Sequence, residues 1–280
     1  KFKSSKVRKF KHQARSNLRA FKLSNLQTFK PSNLPTRSPR ARPGPTSKSR
    51  TAAAENARSA SCRSSAAVPF TNHLDQAKRF VDAGYREIVV TGCNLALYAS
   101  EGKRLPELTC ALAELGCRIR LGSVEPGACA LETLNAMAEH ESVCRFLHIP
   151  MQSGSGRILA AMKRPYLVRD IETLVASATK LMPRLGLGCD VMTGFPDESE
   201  ADFMMTKALL ERLPFNNAHV FPYSWRPGTV AAALSSQVEK CVRTKRAREL
   251  GDVLKDMRRK YAMTFVGKSV EIIVESDRHC

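Results

Sequence analysis

The side chains able to do chemistry gather just beyond short apolar runs. Thr91-Gly92-Cys93-Asn94 closes the run Glu87–Thr91, and Ser123-Val124-Glu125-Pro126 follows Arg118–Leu121. Pro150-Met151-Gln152-Ser153-Gly154-Ser155 follows Phe146–Ile149, and Gly194-Phe195-Pro196-Asp197-Glu198 follows Leu187–Met192. The last group, Pro222-Tyr223-Ser224-Trp225-Arg226-Pro227-Gly228-Thr229, follows Ala218–Phe221. Hydroxyls, amides, carboxylates and glycines in this arrangement suit the binding of a polar small molecule. Taken singly, each group has a structural reading. Gly92 and Gly194-Phe195-Pro196 make turns, and Gln152, Ser153 and Ser155 cap a following helix. Asp190, inside an apolar run, must be buried and paired. His148 and His219 read as hydrogen-bonded core histidines. Five such groups in register point to a ligand site, with no single residue marked as catalytic and no metal-ligand set.

The elements that position these groups alternate. Amphipathic stretches near 103–115, 130–140, 168–182 and 199–212 separate the apolar runs, and Asn72–Ala83 precedes the first, stopping at Gly84 as a helix stops at a C-terminal glycine. Short strands alternating with helices of this length make parallel βα units. The expected fold class is therefore α/β, a partial parallel βα barrel whose C-terminal strand ends carry the site.

A chain of 280 residues makes one large domain or two small ones, and 43% hydrophobic residues suffice for a core. The net charge of +19 is unevenly placed: residues 1–50 hold fifteen Lys or Arg and no acid, which leaves +4 for the rest. Phe21–Thr28 is followed by a near-repeat, Phe29–Thr36, and then by a Pro/Arg/Ser-rich stretch. Such a segment cannot offset its ordering entropy and is expected to be disordered. It reads as an RNA-phosphate-binding arm, a transit peptide, or low-complexity sequence foreign to the domain, which the tight repeat favours. No apolar run is long enough to span a membrane, and no secretory signal is evident. Nine scattered cysteines read as reduced thiols in a cytoplasmic protein.

Five blocks, in this order, carry a family resemblance: Gly84–Leu95, Arg118–Pro126, His148–Ser155 with Met162–Tyr166, Asp190–Glu198, and His219–Thr229. They resemble the radical-SAM methylthiotransferases, which add a methylthio group to tRNA adenosines. Asp197 stands where that family's GFPGE run has its second glycine. His219-Val220-Phe221-Pro222-Tyr223-Ser224 is more similar to the branch acting on threonylcarbamoyladenosine. The resemblance spans about 62–280, and Phe265–Glu275 resembles the first strand of the tRNA-gripping TRAM β-barrel.

The resemblance implies S-adenosylmethionine and a [4Fe–4S] cluster as cofactors and tRNA as partner. It places Thr91, Gly92 and Asn94 at the amino-acid end of the cofactor, Ser123 and Glu125 at its ribose, and Gln152, Ser153 and Asp190 along the cavity. The family's cluster needs a CxxxCxxC loop, and the cysteines at 62, 93, 110, 117, 129, 144, 189, 241 and 280 include no such triplet. The expectation is a truncated, inactive methylthiotransferase that binds no cluster. Residues 1–60 form the tail and 61–262 a barrel lacking its first strand, so that Glu87–Thr91 is an unpaired edge; 263–280 begin the TRAM module. A non-catalytic RNA-binding remnant and an unrelated metabolic βα-barrel enzyme are the alternative readings. The basic helix over 236–262, with Arg243, Lys245, Arg246, Arg248, Lys255, Arg258, Arg259 and Lys260, is read as a solvated face.

Overall fold

The computed structural model describes residues 18–22, 69–92 and 94–269. Six strands run parallel. β1 (Leu18–Lys22), β2 (Glu87–Thr91) and β5 (Arg118–Leu121) form one ladder, and β6 (Phe146–Gln152), β7 (Gly186–Thr193) and β8 (Asn217–Pro222) a second. Bridges Ile119–Val143 and Ser123–His148 join the two ladders into the order β1-β2-β5-β6-β7-β8. Among the described residues no pairing closes β8 onto β1, so the barrel is open. A small hairpin, β3 (Ala99–Ser100) and β4 (Lys103–Arg104), turns at Glu101-Gly102, both at positive φ.

Helices α1 (Phe70–Asp82), α2 (Leu105–Ala113), α3 (Ala128–Glu139), α5 (Val168–Leu181), α6 (Glu200–Arg212) and α7 (Lys240–Met263) return the chain between strands or follow the last one. A short α4 (Gly156–Ala161) is capped by the Ser155 hydroxyl. Gly84, at φ +82°, accepts the left-handed turn that ends the first helical segment. Ile88, Val90, Ile119, Leu121, Leu147, Ile149, Leu187 and Val191 are fully or almost fully buried from the strands, as in a parallel sheet covered on its helical side.

Three expectations change. The edge of β2 is paired: β1 runs beside it from Leu18↔Glu87 to Lys22↔Thr91, so a first strand is supplied from within the basic tail. The physical reason is the row of backbone donors and acceptors that β2 would otherwise leave open, which any short extended segment can satisfy. The remainder of 1–60 lies outside the described residues. The expected strand from Phe265 is also corrected at its start, because Thr264–Gly267 is a turn continuing from α7; residues 270–280 lie outside the described residues. The remaining strands and the long helices fall where the apolar periodicity puts them.

Helix α7 is not simply a solvated face. Arg246 is 6% exposed and bonds Glu198 at 2.7 Å and Glu200 at 2.9 Å. Arg243 lies across Gly194 and donates to the Tyr223 carbonyl. A Cβ at Gly194 would sit 2.0 Å from Arg243 Cγ, and φ there is +69°. The inner basic residues thus pin the helix to the β7 and β8 loops, while Lys245, Arg248, Arg259 and Lys260 remain on the outside or half-exposed.

Candidate functional site

The parallel strands bring their C-terminal ends to one rim. Thr91 ends β2 half-buried and Gly92 is exposed; Cys93, between them and Asn94, lies outside the described residues. Asn94 caps a turn by accepting from Ala96 N at 3.0 Å, and its amide donates to Glu125 Oε2. Arg164, three residues past α4, reaches the other carboxylate oxygen at 3.2 Å. Loops after three elements therefore meet at Glu125. The Glu125 side chain is 16% exposed, so the carboxylate is largely dry but open on one side. Beside it Arg164 Nε is buried with no hydrogen-bond partner among the described residues. An orphaned buried donor in a polar group marks a place where a ligand can supply the missing acceptor.

Gln152 closes β6, where the register with β7 slips between Ile149 and Gln152. Its φ is +61°, an unfavourable value for a residue with a side chain. Strain of about 1–3 kcal/mol at such positions is concentrated at binding and active sites. Ser123 is exposed and pairs by backbone with His148.

One candidate turns away from the rim, and another is paired within its strand. Ser153 is fully buried and shares a hydrogen bond with the Thr206 hydroxyl at 3.2 Å. It fastens the loop to α6, where Gly154 comes so close that a Cβ would lie 2.6 Å from Thr206 Cα. Asp190 faces His148, with Oδ1 3.1 Å from Nε2, and the His219 ring centroid is 5.6 Å from that of His148. Gly188 makes room for this histidine, since a Cβ would stand 2.6 Å from His148 Nδ1. The aspartate is thus half-buried and paired, as a carboxylate inside an apolar strand must be. Arg164 was not among the sequence candidates; its signal was a cation beside Lys163 in the Met162–Tyr166 block that carries the family resemblance.

The rim loops are held by a second polar network. Asp202 accepts from Ser155 Oγ at 2.6 Å, Ser199 Oγ at 2.6 Å and Ser199 N at 2.9 Å, and from Arg157. Burial alone would raise its pKa. The bonds from Arg157, Ser155 and Ser199 outweigh burial and hold the carboxyl far below the usual range.

Residues 56–210 match the Radical SAM superfamily, and the chain belongs to it. Within that superfamily it is similar to the methylthiotransferases. It is 34% identical over 208 residues to the threonylcarbamoyladenosine tRNA methylthiotransferase MtaB of Bacillus subtilis, covering 72% of this chain and 46% of that protein. It is 37% identical over 212 residues to the tRNA-2-methylthio-N(6)-dimethylallyladenosine synthase of Clostridium novyi, covering 73% and 46%. The chain thus spans about half the length of the curated relatives it matches. Among solved structures, Escherichia coli coproporphyrinogen III oxidase shares the fold with a TM-score of 0.54 at 14% identity, over 67% of this chain and 45% of that one.

The family's cofactors are S-adenosylmethionine and a [4Fe–4S] cluster. The Glu125 group fits the first: a carboxylate for ribose hydroxyls and an unpaired guanidinium nitrogen stand on one rim. The described cysteines do not fit the second. Cys110, Cys117, Cys129, Cys144, Cys189 and Cys241 are free and lie on separate elements, and no three sulfurs converge among the described residues. Burial pushes the thiols of Cys110, Cys117, Cys144 (to about 11) and Cys189 up, so they are not poised thiolates.

Proposed function

We propose that this chain is the S-adenosylmethionine-binding barrel of a tRNA adenosine methylthiotransferase that keeps the cofactor's nucleoside side and does not itself cleave it. The observation that carries the reading is the convergence of Asn94, Glu125 and Arg164 at the strand ends, in a chain similar over nearly three-quarters of its length to such enzymes. Glu125 accepts from two ribose hydroxyls, Asn94 and Arg164 fix its orientation, and Thr91 with Gly92 lies at the amino-acid end. Gln152 borders the same rim. S-adenosylmethionine supplies an activated sulfonium when bound. No step through the cluster follows, because the sequence holds no CxxxCxxC triplet.

Similarity extends to both modified-adenosine branches, and the run His219–Ser224 favours threonylcarbamoyladenosine in tRNA as the recognised nucleoside. A cytoplasmic setting is consistent with six free described cysteines; no described helix is long and apolar enough to cross a membrane. The test is reconstitution with iron and sulfide under a strong reductant. S-adenosylmethionine should bind, with no 5′-deoxyadenosine formed. An anticodon stem-loop carrying threonylcarbamoyladenosine should bind better than one carrying the dimethylallyl group. Formation of 5′-deoxyadenosine would overturn the non-cleaving part, and equal affinity for the two stem-loops the substrate part.

A further inference from the structure

Helices α2 and α3 pack side by side on the outside of the barrel and leave a groove of about 500 Å³ between them. Both run back from the strand C-terminal ends, so their final turns lie toward the opposite end of the barrel from the Glu125 rim. Glu107, Cys110, Glu114, Glu132 and Glu139 line this groove. Glu132 is answered by Arg104 at 2.5 Å, and Glu107 accepts from the Arg104 backbone N–H at 2.8 Å. Glu139 has no basic partner among the described residues.

Three different donor types converge there. One ligand atom each from Cys110 on α2, Glu139 at the end of α3 and His140 just after it lie within 4.8 Å of one another. In addition, Glu114 Oε1 stands 3.5 Å from His140 Nδ1. A carboxylate on one imidazole nitrogen is the arrangement that orients metal-bound histidines. From this geometry we propose that Cys110, Glu139 and His140 form a zinc-class divalent metal site that staples α2 to α3, with Glu114 positioning the imidazole.

The donor set decides the metal class. A thiolate, an imidazole and a carboxylate together suit Zn²⁺, whereas Mg²⁺ and Ca²⁺ take oxygen donors alone. Bonds of about 2.0–2.3 Å place tetrahedral ligand atoms roughly 3.5 Å apart. The spacing, at most 4.8 Å, therefore has no more than about 1.3 Å to close, which rotation of the half-buried Cys110 and exposed Glu139 side chains supplies. The negative field of the surrounding carboxylates draws a cation to these donors. With three protein donors, water takes the fourth position. The site does not depend on the proposed reaction or on the cluster.

The test uses the full chain purified without chelator, loaded with Co²⁺ as a spectroscopic stand-in and then with Zn²⁺. A thiolate-to-cobalt band at one equivalent is expected, lost in Cys110→Ser and in His140→Ala. Glu114→Gln should weaken Zn²⁺ by about 10-fold, the low end of what orienting partners contribute. Zn²⁺ should raise the unfolding midpoint of the parent chain and not that of Cys110→Ser. All three changes lie near the surface, and far-ultraviolet circular dichroism confirms folding; were Cys110→Ser unfolded, His140→Ala gives the same reading. A band that persists in both variants would place the metal on other cysteines and overturn the proposal, as would no Zn²⁺ bound at micromolar concentration.

Discussion

At the scale of single residues, the chemistry rests on which carboxylate each polar loop was brought to. Glu125 receives Asn94 and Arg164, while Asp190 receives His148, so two similar acids have different partners. Glu125→Gln keeps the shape and removes the charge. It should weaken S-adenosylmethionine by about 10- to 100-fold, the worth of hydrogen bonds to a charged group, with little change in unfolding midpoint, as calorimetry would show. Asp202 gives a pH prediction. Its folded pKa lies below the unfolded value, so its contribution is present above about pH 4 and is lost as pH falls through the folded pKa. Asp202→Asn should therefore be clearly less stable than the parent at pH 7, and the gap should narrow in urea melts run at successively lower pH below 4. The sequence showed these acids but not their partners. Asn94 and Glu125 are 31 positions apart, and Glu125 and Arg164 are 39 apart. Only the closing of the strands brings them together. Ser153 illustrates the converse: a hydroxyl beside a ligand loop looked like a ligand group, yet the close packing of Gly154 on α6 turned it inward.

At the scale of elements, the strands and long helices were legible because apolar periodicity is local, and the parallel order followed from their alternation. What periodicity does not report is edge pairing and charge burial. β1 lies in a stretch without a clear strand signal, and its partner β2 is 69 positions away. Removing residues 1–24 should reopen the β2 edge, with a lower unfolding midpoint and more light scattering on heating than the full chain; identical melts would show that the pairing contributes nothing. Helix α7 reads as a solvated basic face, but Arg246 is buried against Glu198. Arg246→Ala should cost about 3–5 kcal/mol in denaturant melts by leaving a buried carboxylate unpaired. Changing both partners, Arg246→Met with Glu198→Gln, should recover most of that loss. The glutamine still accepts from the Gly194 N–H, which now donates to Glu198 at 2.6 Å.

At the scale of the whole molecule, one open α/β barrel carries a polar rim at its strand C-termini and a second set of donor groups on its outer helices. The rim brings a carboxylate, an amide and a guanidinium together, and the described thiols do not converge. The proposed function separates binding from bond cleavage, which the family's chemistry joins. The most direct measurement is calorimetric titration of S-adenosylmethionine into the full chain, with and without Glu125→Gln, in the absence of iron. Saturable one-site binding to the parent, weakened at least 10-fold in the variant, is the expected result. No heat from the parent, or the same affinity in both proteins, would contradict a retained nucleoside site at Glu125.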